Sequence, residues 1–139
     1  MADTLSRAAR SENMRRIRST NTEPEVAVRR AMHRMGLRFR LHDRDLPGRP
    51  DAVLRRHHAA VLIHGCFWHQ HSRCLDGHRP KSNTQYWNPK LDRNVQRDRR
   101  NRRQLIRMGF RVLVIWECEA RRPLVLDKKL RRFFQTQGD

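Results

Sequence analysis

The sequence predicts a mixed α/β domain, and three observations lead to that class. Apolar runs of strand length lie at Ala59 to Ile63 and at Phe110 to Trp116. Helical punctuation flanks them, opening at Thr22-Glu23-Pro24-Glu25 and at Asn88-Pro89 and closing at Gly36 and Gly109. A chain of 139 residues is long enough for one domain with its own core and too short to expect two.

In chain order, residues 1–20 are polar and basic, with Leu5, Met14 and Ile17 too few to bury a helix. They are expected to form a basic arm, with 21–139 as a single domain. In the first helix Thr22 can cap, Pro24 suits the first turn and Glu25 stands in the capping-box position. Val28, Met32 and Met35 make its buried stripe, and Gly36 stops it. A loop rich in Asp, Pro and Gly, His42 to Pro50, leads into a short strand from Asp51 to Leu54. Arg55 to His58 can turn tightly into the strand Ala59 to Ile63, and pairing of the two strands would bring Asp51 near His64. Gly77 to Trp87 reads as loop, and Asn88-Pro89 as a helix start with Leu91, Val95, Leu105 and Ile106 inward and a strongly basic outer face. After the strand Phe110 to Trp116, a last helix follows Pro123 and uses Leu126, Leu130 and Phe133 or Phe134. Helices and strands in this order imply a layered sandwich.

Charge narrows the partner. Lys and Arg total 32 against 14 Asp and Glu, a formal +18, and such a field favours a polyanion. No apolar run approaches the ~20 residues of a membrane span, and the N-terminus has no signal-peptide core, so a cytoplasmic protein without membrane contact is expected. Three cysteines cannot all pair, and their clustering with histidine suits a reducing compartment.

The chemistry concentrates between His64 and Cys74, where three histidines, two cysteines and two large aromatics stand in eleven residues. Thiolate and imidazole are the ligands zinc prefers, and Cys66, His71, Cys74 and the distant Cys118 would close a tetrahedron of the structural kind. On spacing alone His69 or His78 could replace His71; the lesser alternative is that Cys66 and Cys118 are small core residues and the histidines polar surface. If zinc takes His71, His64 and His69 remain at a strand end as imidazoles titrating near neutrality and suited to proton transfer. Asp51 could hold a hard cation such as Mg²⁺, which would complete a phosphodiester-hydrolysing site; an Asp after Pro is also a common turn residue. Glu25 is explained by capping and could serve the site as well. Phe67, Trp68 and Trp87 either cover the zinc site or stack on and wedge between bases.

Several segments taken together carry a resemblance. Gly48-Arg49-Pro50-Asp51, the run His64-Gly65-Cys66-Phe67-Trp68-His69 with His71 and Cys74, Asn94-Val95 with Arg97-Asp98-Arg99-Arg100, and Arg111-Val112-Leu113 through Trp116-Glu117-Cys118 resemble the very-short-patch repair (Vsr) DNA mismatch endonucleases. The likeness runs in order from Arg10 to about Cys118, and the His-Gly-Cys-Phe-Trp-His run is its specific signature.

That resemblance implies a restriction-endonuclease-like core, a mixed sheet flanked by helices, with a structural zinc and a basic N-terminal arm. It implies Mg²⁺-dependent nicking of one strand beside the thymine of a T:G mismatch, the lesion left by deaminated 5-methylcytosine. Asp51 would be the carboxylate ligand of Mg²⁺, His69 would assist water activation, His64 would contact the scissile phosphate and Glu25 would belong to the same site. Zinc would sit on Cys66, His71, Cys74 and Cys118. Phe67, Trp68 and Trp87 would form an aromatic wedge, the arm around Met14 would grip the duplex opposite, and Lys90 and Asn94 would read the mismatched bases.

Two departures matter: Ser72-Arg73 spaces His71 from Cys74 in the metal loop, and the end of the central strand differs. Related nucleases carry an acid and a lysine where this chain has Ile63-His64-Gly65, so the cation would use Asp51, the Ile63 backbone carbonyl and water. The implied setting is a bacterial cytoplasm, on the nucleoid, with T:G-containing duplex DNA as partner and mismatch-repair factors as candidate further ones. A monomer suffices, because one asymmetric lesion needs no two-fold symmetry. A zinc-stabilised protein that binds mismatches without cutting is the alternative; it shares the charge, aromatics and zinc but gives Asp51, His64 and His69 no task. A basic RNA-binding protein is a third reading.

Overall fold

In the computed structural model, which describes residues 22–72, 74 and 77–135, four strands make one mixed sheet. They are β1 (Arg40–Leu41), β2 (Ala52–Leu54), β3 (Ala59–His64) and β4 (Arg111–Trp116), in that spatial order. β1–β2 and β2–β3 pair antiparallel, whereas β3 and β4 run parallel. A parallel pair needs a long crossover, and it is supplied by the helix α2 (Thr84–Arg107). The other helices are α1 (Glu23–Arg34), the short α3 (Glu117–Ala120) and α4 (Pro123–Gln135). The arm expected at 1–20, with Met14, lies outside the described residues.

Period-two alternation along the strands sorts side chains into two cores. Ala52, Leu54, Ala59, Val61, Leu113 and Ile115 face α1 and α4, meeting Val28, Met32, Leu126, Leu130 and Phe134. Val53, Ala60 and Leu62 face the other way and meet Leu105 and Leu46. The fold is thus a mixed sheet flanked by helices on both faces.

Helix ends follow the local sequence. Thr22 Oγ1 accepts the Glu25 N–H at 3.3 Å as the N-cap of α1. At its other end Gly36 takes φ +76°, donating to His33 O while Leu37 donates to Met32 O, the paired bonds of a Schellman stop. Gly109 repeats the device after α2 at φ +94°.

Four expectations are corrected. β1 and α3 are not foreseen, because two and four residues carry too little periodicity to register. α2 begins at Thr84 rather than at Asn88-Pro89. Its extra turn is held by packing, since Trp87 meets Phe67 and Trp68 with ring centroids 5.3 and 5.9 Å apart. Ile106 is 51% exposed, because the buried line of α2 passes through Leu91 and Leu105 and the next residue is turned ~100° away.

Candidate active site

The parallel register explains the first cluster. His64 pairs with Trp116, and two residues beyond each lie Cys66 and Cys118. The turn after β3 then returns His71 and Cys74, so that one ligand atom from each of Cys66, His71, Cys74 and Cys118 lies within 4.8 Å of every other. His71 Nδ1 is 3.7 Å from Cys66 Sγ and 3.5 Å from Cys118 Sγ. Bonds of about 2.3 Å to sulfur and about 2.0–2.1 Å to nitrogen, opened by a tetrahedral angle, separate such donors by roughly 3.5 Å. The two distances from His71 match that separation, and the four donors together could hold a metal ion. Burial pushes the Cys66 thiol up to about 12 and raises Cys118 as well, so thiolates here need a cation beside them.

The His71 ring stacks on Trp116, centroids 4.2 Å apart, which fixes its plane. Gly77 makes the turn possible: a Cβ there would stand 2.2 Å from the His71 carbonyl oxygen. His69 and His78, the alternatives that spacing allowed, are elsewhere. His78 is exposed, and His69 turns away to Asp98.

A second cluster forms on the other side of β3. Ala52 pairs with Val61, so Asp51 lies beside the end of β3 and its Oδ2 accepts the Ile63 N–H at 2.6 Å. Across the β1–β2 pair, the His42 N–H donates to the Asp51 carbonyl at 3.2 Å. Glu25, only 4% exposed, reaches in from the first turn of α1, and the ligand atoms of Glu25, His42 and Asp51 lie within 4.8 Å of one another. Burial raises the Asp51 carboxyl to about 6, with the Glu25 charge adding to the rise against the lowering by the Ile63 N–H. Two crowded carboxylates of this kind suit a small cation.

His64 and His69 form the third group, stacked in parallel with centroids 3.9 Å apart. His69 Nδ1 lies 2.5 Å from Asp98 Oδ2. A carboxylate on Nδ1 selects the tautomer that leaves Nε2 with its lone pair. His64 departs from the expected neutral-range imidazole: burial, then the neighbouring His69, lower it to about 3, so it stays uncharged at neutral pH. The hoped-for proximity of Asp51 and His64 resolves into two adjoining groups, Asp51 with Glu25 and His42, and His64 with His69 and Asp98. A cleft of about 520 Å³ reaches the first group at Glu25 and the second at His64 and His69, with Ile63, Trp68 and Asn94 also in its lining; Asp51, His42 and Asp98 are not among the residues that line it.

Asp98 and His42 were not singled out from sequence. Asp98 follows Asn94 by four residues and so shares its face of α2, a signal that was available. His42, at the mouth of a loop, offered none.

Phe67, Trp68 and Trp87 pack on one another, ring centroids 5.1 to 5.9 Å apart, and belong to neither core. Trp68 Nε1 is buried without a hydrogen-bond partner. Lys90 Nζ stands 5.7 Å from the Trp68 ring centroid, and Asn94 Nδ2 donates to the Trp68 carbonyl at 3.1 Å. Beside them a groove of about 710 Å³ along α2 carries Lys90, Arg93, Arg97 and Arg100, and it meets the cleft at Asn94 and Arg97. Among the described residues no helix is long and apolar enough to cross a membrane.

Comparison with known proteins adds an independent line. The family model described as DNA mismatch endonuclease Vsr matches residues 2–75. The chain is 46% identical over 131 residues to a type II nicking enzyme of Xanthomonas oryzae, covering 94% of this chain and 96% of that one. It is 42% identical over 139 residues to a type II nicking enzyme of Neisseria meningitidis, covering 100% and 99%. It is also 42% identical over 121 residues to the DNA mismatch endonuclease Vsr of Escherichia coli, covering 87% and 77%.

Proposed function

The chain belongs to the DNA mismatch endonuclease Vsr family and is a DNA-nicking endonuclease, and from that premise we propose that it cuts one strand beside the thymine of a T:G mismatch, with Mg²⁺, to begin very-short-patch repair. The observation that carries the hydrolytic part is the Asp98–His69 pair, 2.5 Å apart, whose His69 stacks on His64 where both line the cleft that Glu25, the neighbour of Asp51, also lines. A protein that only binds mismatches has no use for such an arrangement.

In this reading His69 Nε2 takes the proton of the attacking water while Asp98 accepts from Nδ1–H and steadies the imidazolium that forms. Kept neutral by burial, His64 donates an N–H to a phosphate oxygen without surrendering its proton. Asp51 and the Ile63 carbonyl would hold the cation with water, and Ile63 and the Glu25 beside Asp51 both line the cleft. When bound, Mg²⁺ neutralises phosphate charge and favours hydroxide over water. Arg97 and Arg121, which also line the cleft, attract the DNA backbone.

Zinc is the metal proposed for Cys66, His71, Cys74 and Cys118, on the strength of donor type and the 3.5 and 3.7 Å spacings. Phe67, Trp68 and Trp87 are the proposed wedge, with Lys90 and Asn94 reading the mispaired bases and Met14 in the arm gripping from the far side. Unstacking costs a few kcal/mol per step and least at a weakened pair, so a wedge itself favours mismatches. The antiparallel β2–β3 pair, the α2 crossover and the flanking helices support a restriction-endonuclease-like core. A monomer in a bacterial cytoplasm, on the nucleoid and in reach of mismatch-repair factors, completes the proposal.

The test is incubation of the protein and Mg²⁺ with end-labelled duplexes carrying T:G, T:A or C:G at one position, both strands resolved on a denaturing gel. A single Mg²⁺-dependent nick on the thymine strand of T:G alone is expected. Tight T:G binding with both strands intact would favour a non-cutting mismatch binder instead.

A further inference from the structure

Three buried side-chain nitrogens among the described residues lack a hydrogen-bond partner: Arg111 Nη1, Trp68 Nε1 and His42 Nε2. Arg111 is already held by the Phe133 carbonyl and ring, and Trp68 sits in the aromatic cluster. Only His42 Nε2 stands among carboxylates. It is 3.6 Å from Glu25 Oε2, too far for a hydrogen bond. Two ligands of one ion, each bonded at about 2.1–2.2 Å, lie roughly 3–4 Å apart.

The backbone holds it there. His42 adopts φ +50°, a left-handed conformation that costs a non-glycine residue energy, and its N–H is bonded to the carbonyl of Asp51 itself. Strand pairing therefore fixes His42 next to Asp51, and α1 brings Glu25 to the same point. Arg29 shares Glu25 Oε2 at 3.0 Å, so a cation here would divide that carboxylate with a guanidinium.

We propose that His42 is a third protein ligand, with Asp51 and Glu25, of the catalytic divalent cation, and that its imidazole tilts the site towards Mn²⁺ over Mg²⁺. The proposal rests on the reading of Asp51 as the cation-holding residue. Mg²⁺ favours oxygen and retained water, whereas imidazole suits transition ions.

The zinc-loaded full chain is titrated with Mn²⁺, free ion being followed by electron paramagnetic resonance, and bound ion is examined for ¹⁴N modulation in the electron spin echo. Wild type should bind Mn²⁺ with ¹⁴N modulation and in preference to Mg²⁺. His42→Gln should lose the modulation and weaken Mn²⁺ binding by at least ~10-fold, since loss of an outer-shell partner alone costs that much. His42→Asn, which tolerates the left-handed backbone, guards against a folding failure. Asp51-dependent Mn²⁺ binding without ¹⁴N modulation, or modulation that persists in both variants, overturns the His42 assignment and leaves the role of Asp51 standing. Mn²⁺ binding that Asp51→Asn does not weaken overturns both.

Discussion

Two of the three metal-capable clusters among the described residues, one on either side of β3, are built from opposite chemistry. Cys66, His71, Cys74 and Cys118 are soft donors, and three of the four come from one nine-residue segment. Glu25, His42 and Asp51 are mostly hard, and each arrives on a different piece of chain. The first has four protein donors and would close around an ion with no position left for substrate, the condition of a structural site; the second reaches a cleft through Glu25. The difference teaches that the soft set is gathered largely by proximity in sequence, whereas the hard set is assembled from strand register and helix docking.

The sharpest way to break this contrast is Asp51→Ala. Nicking should fall by at least ~10³-fold, the several kcal/mol a metal ion supplies, while duplex binding in a gel shift survives. Wild-type nicking by that variant would end the division of labour. Next, Asp98→Asn should reduce nicking by ~10²-fold or more through loss of the tautomer control on His69. Single-turnover rates with unchanged Mn²⁺ affinity would assign that loss to proton transfer.

On the structural side, Cys118→Ala should abolish retention of the proposed zinc, read by metal analysis, and lower stability by several kcal/mol in chemical denaturation. Freshly purified, unchelated wild type without zinc would contradict the reading of this cluster.

The pH dependence separates the clusters again. The Asp51 carboxyl, raised from 3.8 to about 6 by burial and by Glu25 while His42 and His69 pull it down, must ionise to hold a cation. At limiting Mg²⁺, nicking should fall about tenfold per unit below pH 6, and more Mg²⁺ should move that limb to lower pH. For stability the sign is opposite. A pKa raised on folding favours the native state below 3.8, and the benefit is lost as pH rises through 6. Metal-free Asp51→Asn should therefore gain on the order of 1–3 kcal/mol over wild type above pH 6 and nothing below pH 4.

The smallest effect is expected from Trp68→Ala. It should cut the preference for T:G over T:A duplex by about 1 kcal/mol, read as a ratio of dissociation constants. An unchanged ratio would return Trp68 to a packing role.

The soft cluster was legible because thiolate and imidazole donors at short spacing leave a mark in the sequence, although spacing left His69 and His78 open and the Sγ–Nδ1 geometry agrees with the His71 that the resemblance implied. Both glycine stops were legible too, since a left-handed residue at a helix end is a local demand. Asp98 escaped notice because an Asp in an Arg-rich helix looks like charge balance until a histidine 29 positions away turns to it.

By itself the sequence determined a basic mixed α/β fold, where its main helices stop, the donor types of the soft cluster and, through resemblance, the family. These are properties that neighbouring residues or composition enforce. Tertiary structure alone decided that β3 and β4 run in a register bringing Cys66 to Cys118, that α2 starts a turn early on an aromatic cluster, and that His42 stands beside Asp51. Pairing across a sheet joins residues distant in the chain, and a shift of one residue would turn each side chain to the opposite face. No local pattern encodes that choice; the burial of two cores at once does.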